Sequence, residues 1–326
     1  MKNHVSAKTR DSKEIQSIVL YTNHKNDPCA FVRLRGPMNH LKINVLEGYE
    51  DGKINTDQIL LSDLVVIQRD FPNNQKLYET ILEFARKNKK PIAFEIDDLL
   101  FQLPENHPDR QNLHYVESLL PMLQAIMEVD LVTVPTPLLK EIYSKFNKNT
   151  VVIPNYFDDN LWSLIPPVQK PDDSYPLIIG YMGGESHFPD IEFISPVIKY
   201  IINRFPNEIE IHIWGVRPTK DLESYSQVKW FPAITYEYHE FAAYFQTQLA
   251  DIFIAPLVDN AFYRAKSPLK FFEYSSLGVP GVFSSLEAYK STVTHGFDGL
   301  LASTQEEWII NLVQLIQNKE MRIQIA

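Results

Sequence analysis

At 326 residues the chain is long enough for two domains of ordinary size, each with its own core, and its 44% apolar content is that of a globular protein. A net charge of -10 argues against a nucleic-acid partner, since duplex binding rests on a basic surface, and no run approaches the roughly 20 apolar residues that cross a bilayer. One cysteine, Cys29, excludes an internal disulfide and suits a reducing, cytoplasmic setting.

Met1 to Lys13 is polar and mixed in charge, unlike a signal peptide or membrane anchor. Beyond it, apolar runs alternate with helical patterns, the mark of an α/β fold with parallel sheets. In the first half, Ser17 to Tyr21, Leu64 to Gln68, Ile92 to Glu95, Leu131 to Val134 and Val151 to Ile153 read as strands, with helices over Asn74 to Lys87 and Tyr115 to Glu128. Arg86, Lys87, Lys89 and Lys90 form a basic cluster. It fits the solvated C-terminal end of a helix, and it also fits a peripheral contact with acidic lipids near a lipid-linked acceptor.

Trp162 to Pro176, proline-rich with Lys170, Asp172 and Asp173 and without periodicity, reads as a linker. The pattern then starts afresh. Strands are expected at Leu177 to Tyr181, Ile209 to Trp214, Ile252 to Pro256 and Gly281 to Ser284, and helices at Ile191 to Arg204, Tyr238 to Leu249, Pro268 to Leu277 and Gln305 to Gln317. Two Rossmann-like halves joined in this way would face each other across a cleft at their strand ends.

The stretch Lys266 to Pro280 carries the most chemistry. Ser267 is a good N-cap and Pro268 suits the first helical position, so the free N–H groups of the first turn should open there. Gly278 and Pro280 stop the helix. Lys266 and Lys270 add two cations to an end that already favours an anion. Glu273, three residues beyond Lys270 on the same face, is spaced to accept hydrogen bonds from hydroxyls of a bound phosphate compound. Phosphate plus vicinal hydroxyls suggests a nucleotide sugar. Lys270 and Glu273 also read as an exposed intrahelical ion pair, but the preceding buried-strand run, Asp251 to Leu257, sets the helix start at a strand's C-terminal end, where open sheets bind ligands.

Gly183 and Gly184 would let backbone approach a pyrophosphate, or simply make a tight turn. His187 and Asp190, next in that loop, read first as surface-loop residues. Asp97 and Asp98 follow a strand and point at the cleft as candidate catalytic, acceptor-side or structural carboxylates, and one of them equally suits the cap of the following turn; alone they are a weak Mg²⁺ signal. Arg33 and Arg35 could meet an anionic acceptor or the donor phosphate, or lie on a strand edge. His107 and His114 are further acceptor-side candidates. Trp214 to Pro218 and Phe231 to Tyr236 read as core aromatics or as walls around a nucleotide base.

The segment Asp251 to Ser284, with its DIFIAPL strand, KSPLKFFEY helix and GVPGVFS strand, resembles the donor-binding signature of retaining GT-B glycosyltransferases of family 4, and most of all bacterial enzymes of O-antigen and capsule assembly. Phe94 to Leu100, Asp130 to Pro137 and Val151 to Asn155 fit in order. The resemblance departs at one point. The family's usual pair of glutamates, separated by seven residues, is reduced to the second, Glu273, with Ala265 at the first position.

The resemblance implies a GT-B fold, two Rossmann-like domains with parallel sheets facing across a cleft: residues 1–165 on the acceptor side and 166–326 binding the nucleotide-sugar donor. It implies retaining transfer to a glycan or lipid-linked acceptor in surface polysaccharide biosynthesis, in the cytoplasm or at the inner membrane face, with no metal or other cofactor. Lys266, Lys270, the helix start with Ser267, and the Gly183–Gly184 loop would stabilise the departing diphosphate, while Glu273 holds the ribose. Asn155 would fix the crossover near the domain junction, and an H-x-x-D like His187 to Asp190 recurs among similar transferases. The terminal crossover helix looks absent, as in a fragment or a short version. Ala265 and that short end motivate an alternative, a catalytically inactive nucleotide-sugar-binding module of a polysaccharide synthase; an epimerase or phosphorylase ranks below it.

Overall fold

The computed structural model describes residues 14–167, 176–235 and 237–326. Lys170, Asp172 and Asp173 of the expected linker, Tyr236, and the opening stretch to Lys13 lie outside the described residues.

Runs rich in Val, Ile, Leu and Phe cannot leave either face in water, and here they become the inner strands of two parallel sheets. The first half forms β1 (Ser17–Tyr21), β2 (Asn44–Glu47), a small antiparallel hairpin of β3 (Tyr49–Glu50) and β4 (Lys53–Ile54), then β5 (Leu64–Gln68), β6 (Ile92–Glu95), β7 (Leu131–Val134) and β8 (Thr150–Val152). Its sheet runs β2-β1-β5-β6-β7-β8, all parallel. The second half forms β9 (Leu177–Gly183), β10 (Ile209–Gly215), β11 (Val228–Phe231), β12 (Ile252–Ala255), β13 (Gly281–Ser284) and β14 (Leu300–Ala302), in the parallel order β11-β10-β9-β12-β13-β14. In each sheet the connections leave in opposite directions from one point, beside β1 and β5 in the first and β9 and β12 in the second. Ligands bind at such switch points, outside the carboxyl ends of the strands.

The strands of the two six-stranded sheets missing from the sequence pattern, β2, β11 and β14, are short and lie at sheet edges, and β2 and β11 have no fully buried residue, so no apolar run announces them; the two-residue strands of the β3–β4 hairpin are likewise too short to show. Helix starts also differ. The Leu119–Glu128 helix begins four residues later than expected because Pro121, which has no N–H to donate, is tolerated only in a first turn, and Leu113 takes a left-handed φ of 56° just before. The Phe188–Arg204 helix begins three residues early, with Pro189 in its first turn. Helix Tyr238–Phe245 ends four residues short of the expected Leu249.

Arg86 and Lys87 end the Gln75–Lys87 helix and Lys89 and Lys90 lead from it to β6, which sets the cluster at the end of the sheet opposite the strand ends that face the cleft. Lys90 Nζ donates to the carbonyls of Leu60 and Ser62, and Arg86 to that of Glu128. Among the described residues no helix is long and apolar enough to cross a membrane.

Trp162 is buried against the rings of Tyr238 and Phe241. Ile165 N–H donates to Ser276 O at 2.7 Å. The end of the first half is thus strapped to the second where Gly278, with a φ of 64°, turns the chain out of helix Leu269–Ser276. A Cβ at Gly278 would stand 2.3 Å from Ile165 O. Gly278→Ala should therefore cost about 1–3 kcal/mol in urea denaturation; unchanged stability would mean that the strap moves aside freely.

Candidate functional site

The carboxyl ends of both sheets open onto one cleft of about 780 Å³. Its second-half wall starts at Gly183 and Gly184, at the end of β9. Gly184 has no neighbour within 4 Å of a built Cβ, so its backbone is open to a ligand. Trp214 and Gly215 close β10, and Pro232 to Thr235 follow β11; Trp214 stacks on Phe231 with ring centroids 5.6 Å apart.

The helix that begins this wall's floor is Leu269–Ser276, with Pro268 at its N-cap position and no side-chain cap. This corrects the expected role of Ser267. Its hydroxyl instead accepts a hydrogen bond from Asn155 Nδ2 of the first half at 2.7 Å. Nor are Lys270 and Glu273 an exposed pair: Glu273 is 3% exposed and accepts from the Tyr238 hydroxyl at 2.8 Å. Burial pushes Glu273 up from an ordinary 4.5 to about 7, against the pull of Lys270 and Tyr238. Burial likewise lowers Lys270, whose Nζ lies 3.2 Å from His187 Nε2.

His187 and Asp190 are not surface-loop residues. Asp190, fully buried, lies 2.7 Å from His187 Nδ1 and accepts the N–H of Val258 at 2.9 Å. Burial raises Asp190 to about 7 and drives His187 well below 6.5.

The first-half wall carries Asp97 and Asp98 at the end of β6. Neither caps a turn. Asp98 reaches across the cleft to Lys266, Oδ2 to Nζ 3.2 Å, and Asp97 pairs with Arg69 at 3.4 Å. Burial raises both carboxyls, but Arg69, with Cys29, Arg33 and Lys266, outweighs it at Asp97, which ends below its ordinary value; Asp98 stays raised despite Lys266. Arg69 also donates to Cys29 Sγ at 2.7 Å and to the Tyr115 hydroxyl at 2.8 Å, from a left-handed backbone with φ 47°.

Arg33 and Arg35 lie neither on a strand edge nor free for an anion. They belong to a helical segment, with a π turn over Phe31–Arg35. Arg33 is buried and donates to Glu95 (2.7 Å), Ile153 O (2.7 Å) and Asn155 Oδ1 (2.8 Å); Arg35 turns away from the cleft to a two-pronged pair with Glu47. His107 is buried in the wall against Phe262, with ring centroids 5.2 Å apart. His114 is exposed outside the cleft lining, edge-on to Tyr115. Ala265 is fully buried, and its carbonyl accepts from Thr136 of the first half at 3.0 Å.

Arg69, Tyr115 and Tyr238 line the cleft without having been expected there. A signal existed for Arg69, which directly follows the β5 run Leu64–Gln68 just as Asp97 closely follows β6. Tyr115 and Tyr238 carry no comparable mark, because each is set in the cleft by a turn or by the opposing half. Among the described residues Glu237, His239 and Glu240 are the one group of three whose metal-ligating atoms all lie within 4.8 Å of one another; Asn26 donates to Glu237 and Thr235 to Glu240.

Two Rossmann-like parallel sheets facing one cleft define a GT-B fold. Residues 176–318, which include every second-half site residue above, match the family described as glycosyl transferases group 1. The chain is similar in fold to HepE from Anabaena, solved with UDP-glucose, with a TM-score of 0.59 at 13% identity over 96% of this chain and 92% of that one. Sucrose-phosphate synthase from Thermosynechococcus elongatus matches with a TM-score of 0.59 at 13% identity over 95% and 92%. No curated protein matches in sequence.

Two outcomes follow from the buried charges. Between pH 4.5 and 7 the folded chain keeps the Glu273 proton that the unfolded chain releases, so the raised value makes stability fall as pH rises through that window. Comparing urea midpoints at pH 5 and pH 8, the wild type should lose about 2–3 kcal/mol more than Glu273→Gln; parallel losses would place the proton elsewhere. Arg33→Met strands a buried carboxylate and should cost about 3–5 kcal/mol, much of it regained in Arg33→Met/Glu95→Gln. A single variant as stable as the wild type would show that Glu95 is compensated without Arg33.

Proposed function

We propose that the protein is a glycosyltransferase that moves a sugar from a nucleotide-sugar donor to a glycan or lipid-linked acceptor with retention, in surface polysaccharide assembly. Residues 166–326 bind the donor and residues 1–165 offer the acceptor surface. The observation that carries this reading is the convergence of Lys266, Lys270, Glu273 and the open Gly184 backbone on one cleft at the β9/β12 switch point. The family match over 176–318 and the UDP-glucose held by the similarly folded HepE support it.

On this reading the donor diphosphate lies between the glycine turn and the two lysines, whose fixed charges act as the leaving group gains negative charge. Lys266 must exchange Asp98 for phosphate, and Glu273 must exchange its proton for the ribose hydroxyls. Nucleotide binding should therefore tighten as pH rises toward about 7, because the bound state favours the ionised carboxylate. Arg69, Asp97 and Tyr115 form the opposing surface, open to acceptor hydroxyls. The enclosed Ala265 favours a second reading, a nucleotide-sugar-binding module without transfer.

Hydrolysis and transfer over a panel of UDP-, GDP- and dTDP-sugars separate the two readings, since binding without turnover selects the second. Lys270→Ala should weaken a nucleoside diphosphate ten- to hundredfold and the nucleoside hardly at all, the loss of a charge-assisted contact worth about 1.5–3 kcal/mol. Glu273→Gln should weaken ribose nucleotides, and much less so their deoxy analogues. Equal losses for diphosphate and nucleoside, or simple additivity in the Glu273 cycle, would remove the donor assignment.

A further inference from the structure

Lys270 is held from behind. Its Nζ lies 3.2 Å from His187 Nε2, the far ring nitrogen lies 2.7 Å from Asp190 Oδ2, and Asp190 Oδ1 accepts the N–H of Val258. The chain of contacts joins the turn after β9, the first turn of helix Phe188–Arg204, the loop after β12 and helix Leu269–Ser276. An ammonium has only donors, so the nitrogen facing it must carry a lone pair. The imidazole proton is then on Nδ1, where a fully buried carboxylate receives it without competition from water.

We infer that Asp190 and His187 are positioning residues for the transfer: Asp190 holds His187 in its Nδ1–H tautomer, and Nε2 of that tautomer aims the Lys270 ammonium at the departing phosphate. This rests on the donor reading above, in which Lys270 meets the diphosphate. One Lys270 proton is spent on His187, which restricts the rotation of a flexible four-carbon stem and leaves two N–H groups for the ligand.

The arrangement has a pH signature. A proton added to the pair removes the Nε2 lone pair wherever it is first taken up: on Asp190, the carboxyl then donates to Nδ1 and shifts the ring proton to Nε2; on His187, both nitrogens become donors. Either way an N–H faces an N–H. The groups around the ring are Asp190 on its own helix, Lys270 and Lys266 from the opposing helix and its approach, His107 from the first half, and the Tyr263 ring at 6.4 Å. Burial, followed by Lys270, Lys266 and His107, keeps the imidazole neutral well below 6.5, while burial raises Asp190 to about 7. At saturating donor, kcat should therefore fall as pH drops below about 7, where Asp190 takes up the first proton.

The test combines histidine ¹⁵N NMR with kinetics on the full chain. Wild-type His187 should read as the neutral Nδ1–H tautomer and Asp190→Asn, whose amide donates to Nδ1, as Nε2–H. Asp190→Asn should lower kcat ten- to hundredfold with the donor KM within about threefold, because a misaimed lysine loses what develops only in the transition state. His187→Gln, which can present an oxygen to Lys270, should recover most of the activity lost in His187→Ala and lack the acid limb of kcat measured at saturating donor, where the Glu273 effect on binding no longer enters. An unchanged tautomer or wild-type kcat in Asp190→Asn overturns the inference. So do equal defects in His187→Gln and His187→Ala with the acid limb intact, which would mark a merely structural role. Failure of the wild type to bind any nucleoside diphosphate, by calorimetry, overturns the donor reading instead and leaves the tautomer result legible.

Discussion

The buried ion pair of Arg33 and Glu95 is the constraint on which the meeting of the two halves depends. A charge pair with 3% and 1% of its side chains exposed survives only if its remaining donors and acceptors are satisfied. Here they are satisfied in sequence along a line: Gln68 donates to Glu95, Arg33 bridges Glu95 to Ile153 O and to Asn155, and Asn155 donates to Ser267. The line runs from the end of β5 to Ser267, two residues before helix Leu269–Ser276. The position of that helix, and of Lys270 and Glu273 on it, is thereby tied to the first sheet.

Among the other contacts across the halves, two lie beside that helix's approach, Thr136 on the Ala265 carbonyl and Asp98 on Lys266. They differ in kind. Thr136 and Asn155 make neutral hydrogen bonds across the halves, and so fix geometry. Asp98 occupies a lysine that a phosphate would also claim, and its own carboxyl is already raised by burial, so this contact can yield to a ligand. The cleft combines a rigid frame with one exchangeable bridge.

The same burial accounts for the electrostatics of the site. Glu95, Asp190 and Glu273 are all lifted to about 7 by loss of water, which outweighs the pull of Arg33 at Glu95, of the Val258 N–H and the lysines at Asp190, and of Lys270 at Glu273. The fold thus stores unfavourable charge at its functional edge, as active sites tend to do. A ligand that brings hydroxyl donors to Glu273 and an anion to the lysines would relieve it.

Much of this could be read from the residues in order. Apolar runs such as LVVIQ and IIGYMG are buried on both faces in the sheets, and the three-residue spacing of Lys270 and Glu273 does bring both to the cleft. Those properties are local, since periodicity and strand ends depend on neighbours within one element. Three matters were decided by the tertiary structure alone: that Ser267 serves Asn155 rather than its own helix, that Arg33 is a strut rather than an anion site, and that His187 backs Lys270. The partners lie 112, 62 and 83 residues away in the chain, and a hydrogen bond is specified by position in space, which no spacing along the sequence encodes.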